Sequence, residues 1–146
     1  MPLEIRPLKE TDHAEWRRLW TAYLEFYESS VSDEVYETTF SRLISADHTT
    51  QNAFFALLNG RAVGLVHYIL HPHNWRTEDV VYLQDLYAVP EVRGQGIGRA
   101  LIEKVYDFAD ENGTPTVYWL TQDFNLDARK LYDRIAHLTP FIKYQR

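Results

Sequence analysis

The stretch Arg93-Gly94-Gln95-Gly96-Ile97-Gly98 decides the fold of this chain of 146 residues. It follows an apolar run from Val80 to Pro90, which predicts a strand, and it leads into a helical pattern that starts at Ile97. A glycine-rich turn between a strand and a helix directs several backbone N–H groups at one point, where the helix dipole favours negative charge. Glycine also permits the close backbone approach that a phosphate needs. The stretch therefore predicts a pyrophosphate site.

Two well-known phosphate turns do not fit the spacing. A P-loop closes its glycine run with Lys and then Ser or Thr, whereas Gly98 is followed by Arg99 and Ala100. The dinucleotide fingerprint reads G-x-G-x-x-G and needs an acidic residue about 20 positions later, after a second strand. This chain reads G-x-G-x-G, and that position falls in the turn at Gly113. Spacing therefore excludes both turns.

Composition and charge exclude several functions. The absence of cysteine rules out a disulfide framework and thiolate catalysis. A formal net charge of −6 at pH 7 argues against a nucleic-acid partner, which usually requires a basic patch. No apolar run reaches membrane-spanning length, so we expect no membrane association and a cytoplasmic protein with a single domain over residues 1–146. His67, His71 and His73 match no standard ligand spacing, so we expect no metal.

The remaining chain alternates between strand and helix patterns. Alternating or β-branched runs predict strands over residues 3–8, 53–58, 61–70, 80–89, 115–121 and 139–144. Asn59-Gly60 predicts a tight hairpin turn. Apolar residues at helical spacing predict helices over residues 12–27, 32–43, 97–112 and 125–132. The crossover between the fourth and fifth strands is expected to be right-handed.

Three segments together resemble one family in their order and spacing. They are Leu86-Tyr87-x-Val89-Pro90, the loop at residues 93–98, and Trp119-Leu120-Thr121 followed by Asn125-x-x-Ala128-x-x-Leu131-Tyr132. The loop is similar to the Gln/Arg-x-x-Gly-x-Gly/Ala pattern that binds acetyl-CoA in the GCN5-related N-acetyltransferase (GNAT) superfamily. The Leu-Gln-Asp-Leu-Tyr and Phe-Ile-Lys-Tyr segments look nearest to the branch of polyamine and small fungal histone-type acetyltransferases.

The resemblance implies a fold, a cofactor and a reaction. The fold is α/β (α+β by some schemes), with a mixed, mostly antiparallel sheet, helices on both faces, and a parallel strand pair that splays to admit the pantetheine arm. The reaction moves an acetyl group from acetyl-CoA directly to a primary amine of a small molecule, such as a polyamine or an amino acid, or to a lysine side chain of a protein. The implied cofactor-binding residues are Leu86, Tyr87, Ala88, Arg93, Gly94, Gln95, Gly96, Ile97, Gly98, Arg99, Asn125 and Tyr132.

Tyr132 and the residues near Gln84 are the candidates for proton transfer. The departing thiolate has a conjugate acid with a pKa of about 8.5, and a tyrosine with a pKa near 10 stays protonated to supply the proton. An alkyl ammonium, with a pKa of about 10.4, must first lose a proton. The polyamine branch typically has a glutamate at the position of Gln84, which cannot accept one. Asp85 is adjacent but on the opposite face of an ideal strand, and a β-bulge would change that.

Tyr23, Tyr27 and Glu28 are candidates for the wall of the amine site. An aromatic cage with carboxylates suits an aliphatic ammonium, although aromatics at this spacing also fill cores. Glu28, or a water chain to an acidic residue, is an alternative base. A second possible function is a catalytically inactive module that binds acyl-CoA and regulates another protein. The aromatic C-terminal strand would present an edge to a second subunit, so we expect a homodimer.

Overall fold

A five-stranded sheet with the order β1-β2-β3-β4-β5 forms the centre of the computed structural model, which describes residues 2–146. Neighbouring strands are antiparallel except β4 and β5, which are parallel. This confirms the expected fold class. The strands are β1 (Leu3–Pro7), β2 (Gln51–Leu58), β3 (Arg61–His71), β4 (Val80–Ala88) and β5 (Val117–Tyr118), and the helices are α1 (His13–Phe26), α2 (Asp33–Ile44), α3 (Ile97–Glu111) and α4 (Leu126–Ile135).

Helices cover both faces of the sheet because successive strand residues point to opposite sides. His67 of β3 lies against Trp16 of α1, whereas the next residue, Tyr68, packs against Phe108 of α3. Trp16 also contacts Phe40 of α2, so α1 and α2 share one face. The core on the two faces includes the fully buried side chains of Trp16, Leu19, Phe55, Leu65, Leu101, Ile102 and Val105.

Local sequence signals set the ends of several elements as predicted. The Ser32 side chain accepts a hydrogen bond from the Val35 amide at 3.3 Å and so caps α2. Asn59 and Gly60 have φ values of 53° and 80°, which suit the predicted hairpin turn between β2 and β3. Gly113, with a φ of 72°, follows the end of α3.

Gly64 allows α3 to lie close to the sheet. A Cβ at this position would come within 2.9 Å of the Tyr87 carbonyl oxygen and 3.1 Å of Ile97 Cγ2. Tyr87 is near the end of β4 and Ile97 is the first residue of α3. The absence of a side chain at Gly64 therefore allows the end of β4 and the start of α3, which flank the loop at residues 93–98, to lie this close together.

Two predicted strands differ from the structure. The strand predicted over residues 115–121 is only two residues long, because β5 pairs with β4 at Val117 and Tyr118 and the strands then diverge. The strand predicted over residues 139–144 is wrong for the single chain, since residues 137–146 have no regular structure. A strand needs a neighbouring edge with which to form hydrogen bonds, and Phe141, Ile142 and Tyr144 are instead 80%, 76% and 89% exposed.

Candidate active site

The loop at residues 93–98 forms a backbone cradle at the N-terminus of α3. Gly94 and Gly96 have φ values of 83° and 81°, the left-handed region that favours glycine. The Arg93 and Gln95 amides donate to the carbonyls of Pro90 and Val92. Within residues 2–146, the other amides of the cradle have no backbone acceptor, namely those of Gly94, Gly96, Ile97, Gly98 and Arg99. Unpaired amides at a helix N-terminus fit the pyrophosphate of acetyl-CoA.

The two arginine side chains of this region are engaged within the protein. Arg93 Nε donates to the Ala88 carbonyl at 3.1 Å, and its guanidinium lies 5.8 Å from the centre of the Tyr87 ring. Arg99 Nε donates to Glu103 at 2.7 Å on the surface of α3. The Arg93 contact ties the loop to the end of β4, so the free groups of the cradle are its backbone amides.

The divergence of β4 and β5 leaves one edge of β4 unpaired. Only Val81 and Tyr82 of β4 pair with β5. Beyond them, Leu86, Tyr87 and Ala88 pair with β3 on the other edge and are half-buried. Within residues 2–146, no strand pairs with the second edge of this segment. Apart from the Ala88 carbonyl, which accepts from Arg93, the backbone groups on this edge are therefore available to a pantetheine arm, as the expected splay requires.

Tyr132 lies on α4, beside the loop. Leu131 of the same helix would be 3.9 Å from a Cβ added at Gly98, which shows how closely α4 approaches the start of α3. The Tyr132 ring meets Trp119 edge-on, with centroids 5.3 Å apart. Burial, and secondarily the neighbouring Tyr27, raises the pKa of Tyr132 above its ordinary value. Asn125 precedes α4, and its Nδ2 donates to Thr121 Oγ1 at 3.4 Å.

A β-bulge in β4 brings Gln84 and Asp85 to the same cavity. Asp85 is paired with His67 and Leu83 with Tyr68, so Gln84 is an extra residue without a partner on β3. Gln84 is exposed and Asp85 is buried, yet both line a groove of about 330 Å³. The sequence alone left open which face of the sheet Asp85 occupies. The β-bulge turns Asp85 toward the same groove as Gln84.

The groove lies between the α1–α2 face and the sheet. Its apolar lining includes Trp20, Leu24 and Leu43, and its neutral polar lining includes Gln51 and Asn52. Among its lining residues, Asp85 is the one acidic side chain, and none is Lys or Arg. A cavity of this composition suits a molecule that carries an amine on an apolar or neutral frame.

Asp85 is surrounded by hydroxyl and imidazole groups. His67 Nδ1 lies 2.8 Å from Asp85 Oδ2. Burial, then the charge of Asp85 and a hydrogen bond to it, raises the pKa of Tyr23. Burial and the Asp85 charge also raise the pKa of Tyr27 and that of Tyr82. A carboxylate that accepts hydrogen bonds in a buried site is a candidate for proton transfer.

Of the three residues predicted for the wall of the amine site, Tyr23 and Tyr27 lie near Asp85 and Glu28 lies on the surface. The rings of Tyr23 and Tyr27 are tilted against each other with centroids 5.1 Å apart, and the Tyr23 ring meets that of Tyr87 edge-on at 6.5 Å. Tyr23 therefore contacts both Asp85 and a residue near the end of β4. Glu28 follows α1 with a φ of 55° and is exposed. Neither tyrosine lines the groove itself, and nor does Glu28.

His67 is the functional candidate that the sequence reading missed. It is buried, and it accepts a hydrogen bond from Trp16 Nε1 at 3.0 Å while it contacts Asp85. The available signal was its place inside an apolar run, which predicts a buried strand position. His71 instead contacts the Tyr118 hydroxyl at 2.8 Å. Within residues 2–146, no cluster of three or more His, Cys, Asp or Glu residues is arranged for a metal ion.

Comparison with known sequences identifies relatives over nearly the whole chain. The profile of the "Acetyltransferase (GNAT) family" matches residues 16–137. D-amino-acid N-acetyltransferase HPA3 of Saccharomyces cerevisiae is 39% identical over 143 residues, which cover 97% of this chain and 89% of the relative. Thialysine N-epsilon-acetyltransferase of Mus musculus is 29% identical over 142 residues, which cover 88% of this chain and 79% of the relative.

Solved structures share the fold. The acetyltransferase AAC(6')-Iy, in complex with the bisubstrate analog CoA-S-monomethyl-acetylneamine, superposes with a TM-score of 0.86 at 20% identity and covers 100% of this chain and 98% of that one. A ribosomal-protein-alanine N-acetyltransferase from Brucella melitensis superposes with a TM-score of 0.83 at 24% identity. The match covers 100% of this chain and 99% of that one. At these identities the likeness shows the fold alone. Each helix within residues 2–146 is too short or too polar to cross a membrane.

Proposed function

The chain belongs to the GNAT acetyltransferase family and is an N-acetyltransferase, and from this premise we propose that it acetylates the primary amine of a small molecule. The observation that carries the proposal is the position of Asp85. Its buried carboxylate lines a groove, and Asp85 directly precedes Leu86, the first residue of the segment with a free edge that ends at Ala88. An amine in the groove would therefore meet an anionic group close to the end of the strand that binds the cofactor.

Acetyl-CoA is the cosubstrate, and it supplies the acetyl group as a reactive thioester. The amides of Gly94, Gly96 and Ile97 would bind its pyrophosphate, as the unpaired N–H groups of the cradle suggest. Backbone groups from Leu86 to Ala88 would hydrogen-bond the pantetheine. Arg93 would hold the loop in place through the Ala88 carbonyl. Gln95, Gly98, Arg99 and Asn125 complete the proposed cofactor site.

Asp85 is the proposed proton acceptor. An ammonium bound in the groove transfers an N–H proton to a carboxylate oxygen of Asp85, and the freed amine then attacks the acetyl carbonyl carbon. A C–N bond forms as the C–S bond breaks, and the nitrogen then loses its second proton to solvent to give the neutral amide. Because the chain lacks cysteine, the transfer is direct rather than through an acetylated thiol. Gln84 would contact the acceptor but cannot take the proton.

Tyr132 is the proposed proton donor. Its Oη gives a proton to the departing thiolate, and it later regains one from solvent, as Asp85 releases one. Burial keeps the phenol protonated at neutral pH because it raises the pKa of Tyr132. Tyr27 interacts electrostatically with both Asp85 and Tyr132, although Asp85 lines the groove of about 330 Å³ and Tyr132 lines a second groove.

The relatives guide the choice of acceptor. One is a D-amino-acid N-acetyltransferase and another a thialysine N-epsilon-acetyltransferase. A groove of about 330 Å³ is also of the size that holds a small ligand. We therefore place free amino acids and polyamines ahead of a lysine side chain within a protein.

A thiol-release assay over a panel of amines tests the proposal. The panel contains D- and L-amino acids, thialysine, polyamines and a lysine-containing peptide, each with acetyl-CoA. We expect turnover of at least one small amine, with the peptide much slower. Binding of acetyl-CoA without turnover of any amine would support the alternative, an inactive acyl-CoA-binding module.

A homodimer is the second part of the proposal, with a cytoplasmic location. Many of the exposed apolar side chains lie near the C-terminus, namely Leu120, Phe124, Leu126, Leu138, Phe141, Ile142 and Tyr144. Residues 139–144 have strand-forming sequence without a partner in the single chain, so a second copy would provide the edge. Light scattering should give twice the monomer mass, and Phe141→Ser with Ile142→Ser should give a monomer. Fractionation tests the location.

A further inference from the structure

Trp16, His67 and Asp85 form a buried hydrogen-bonded line that ends at the groove. Trp16 lies on α1, His67 on β3 and Asp85 on β4. Trp16 Nε1 lies 3.0 Å from His67 Nε2, and His67 Nδ1 lies 2.8 Å from Asp85 Oδ2. All three side chains are buried, and Trp16 has no solvent exposure. Three elements therefore converge on a single carboxylate.

The indole fixes the tautomer of the imidazole. An indole N–H can only donate, so His67 Nε2 must accept. In the neutral ring the proton is then on Nδ1, which donates to Asp85. If both ring nitrogens carried protons, the Nε2–H group of His67 would point at the Nε1–H group of Trp16, and neither could accept a hydrogen bond. The line therefore has one consistent direction, from the indole to the imidazole to the carboxylate.

The structure points to a role for this line that rests on the proposed function. We infer that His67 is a positioning residue, which holds the Asp85 carboxylate in the orientation that takes a proton from the amine, and that Trp16 fixes His67 in the tautomer this requires. The side chain of Asp85 on the bulged strand can rotate about its torsions unless a contact restricts it. A hydrogen bond from His67 to one carboxylate oxygen restricts this rotation and directs the other oxygen away from His67. Trp20 packs edge-on against His67 at 5.3 Å and restricts the imidazole further.

Asn and Leu at position 67 give a matched pair of variants. The two side chains have nearly the same size, but an Asn amide provides a donor near the place of Nδ1 and Leu provides none. With the panel amine that the wild type acetylates fastest, His67→Leu should lower kcat by about 10–100-fold at neutral pH. His67→Asn should stay within a few-fold of the wild type, and the Kd of acetyl-CoA should be unchanged in both.

The pH dependence distinguishes positioning from loss of structure. A free amine needs no base, so the deficit of His67→Leu should shrink as the pH rises toward the amine pKa of about 10. The titratable groups that face Asp85 are His67 from β3, Tyr23 from α1, Tyr27 just after α1, and Tyr82 from β4. The pKa values of the three tyrosines are all raised, so the phenols stay neutral over most of this range. A deficit that is constant with pH would overturn the inference.

Trp16→Phe keeps the inference testable if His67→Leu does not fold. It removes the donor to Nε2 and leaves His67 and Asp85 in place, so kcat should fall by less than in His67→Leu, with the same recovery at high pH. An unchanged kcat in a folded His67→Leu, or in Trp16→Phe, would contradict the role. Failure of the wild type to acetylate any panel amine would instead contradict the proposed function.

Discussion

The Nδ1 atom of His67 lies 2.8 Å from Oδ2 of Asp85, although the residues are 18 positions apart on different strands. The β-bulge at Gln84 makes this contact possible, because it turns Asp85 toward the α1 face. Two adjacent polar residues of one strand thereby have different surroundings. Gln84 is exposed at the groove, and Asp85 is buried against an imidazole.

Asp85→Asn and Gln84→Ala separate the two candidates for proton acceptance. Asp85→Asn should lower kcat/KM for the amine by about 10²-fold or more at neutral pH, because the amide cannot take a proton. The loss should diminish toward pH 10, where the amine is increasingly free. Gln84→Ala should raise KM modestly and leave kcat near the wild-type value. Steady-state kinetics across pH measure both, and equal losses of kcat in the two variants would contradict the assignment.

Tyr132→Phe tests the proton donor. It should lower kcat by about 10²–10⁴-fold, the usual contribution of general acid catalysis, while the Kd of acetyl-CoA changes little. Tyr106→Phe is the matched control, since Tyr106 donates to the Ile135 carbonyl at 2.9 Å in the α3–α4 contact. It should cost about 1 kcal/mol of stability with kcat retained. Wild-type kcat in Tyr132→Phe would remove Tyr132 from the mechanism.

Alkaline titration tests the protonation state of Tyr132. Burial raises its pKa, so the neutral donor should persist as the pH rises through about 10, the value for an unfolded tyrosine. Because the pKa of Tyr132 is higher in the folded chain than in the unfolded one, its contribution to the stability of the fold is fully present below that pH. The contribution is lost as the pH rises through the folded-state pKa. The difference in phenolate absorbance between wild type and Tyr132→Phe should therefore appear only above about 10. Ionisation well below 10 would contradict the proposed environment.

The sequence predicts local turns and helix starts better than it predicts strands, whose extent depends on residues distant in sequence. The loop at residues 93–98, the turn at Asn59-Gly60 and the start of a helix at Ser32 depend on neighbouring residues and were predicted. The strand at residues 139–144 was wrong because a strand requires a partner that this chain does not provide. β5 was predicted too long because its divergence from β4 depends on packing rather than on the residues of β5.

The site shows the same limit. The glycines themselves indicated the pyrophosphate site, and the resemblance together with acid–base chemistry supplied Tyr132 and the two candidates on β4. Their roles stay predictions. From the sequence, His67 is considered only as a metal ligand, because its partners are distant in sequence, with Trp16 lying 51 positions away. The bulge that decides between Gln84 and Asp85 depends on the pairing of two strands. Contacts of this kind have no local sequence signal.

Gly96→Ala tests the cradle against a control with the same backbone strain. Gly96 and Gly113 have φ values of 81° and 72°, and a Cβ at either would meet no atom within 4 Å. Alanine at each position should therefore cost a similar 1–2 kcal/mol or so of stability. Only Gly96→Ala, at the cofactor end of α3, should also weaken acetyl-CoA binding, which calorimetry measures. Equal affinities in the two variants would show that the loop does not contact the cofactor.

A crystal structure with coenzyme A tests the central claim most directly. We expect the pyrophosphate oxygens to lie about 3 Å from the backbone amides of the cradle at residues 93–98, with the pantetheine along the free edge of β4 and its sulfur near Tyr132. Coenzyme A whose pyrophosphate lies away from these amides, for example with the whole cofactor inside the groove of about 920 Å³ that Tyr132 lines together with the C-terminal segment, would contradict it.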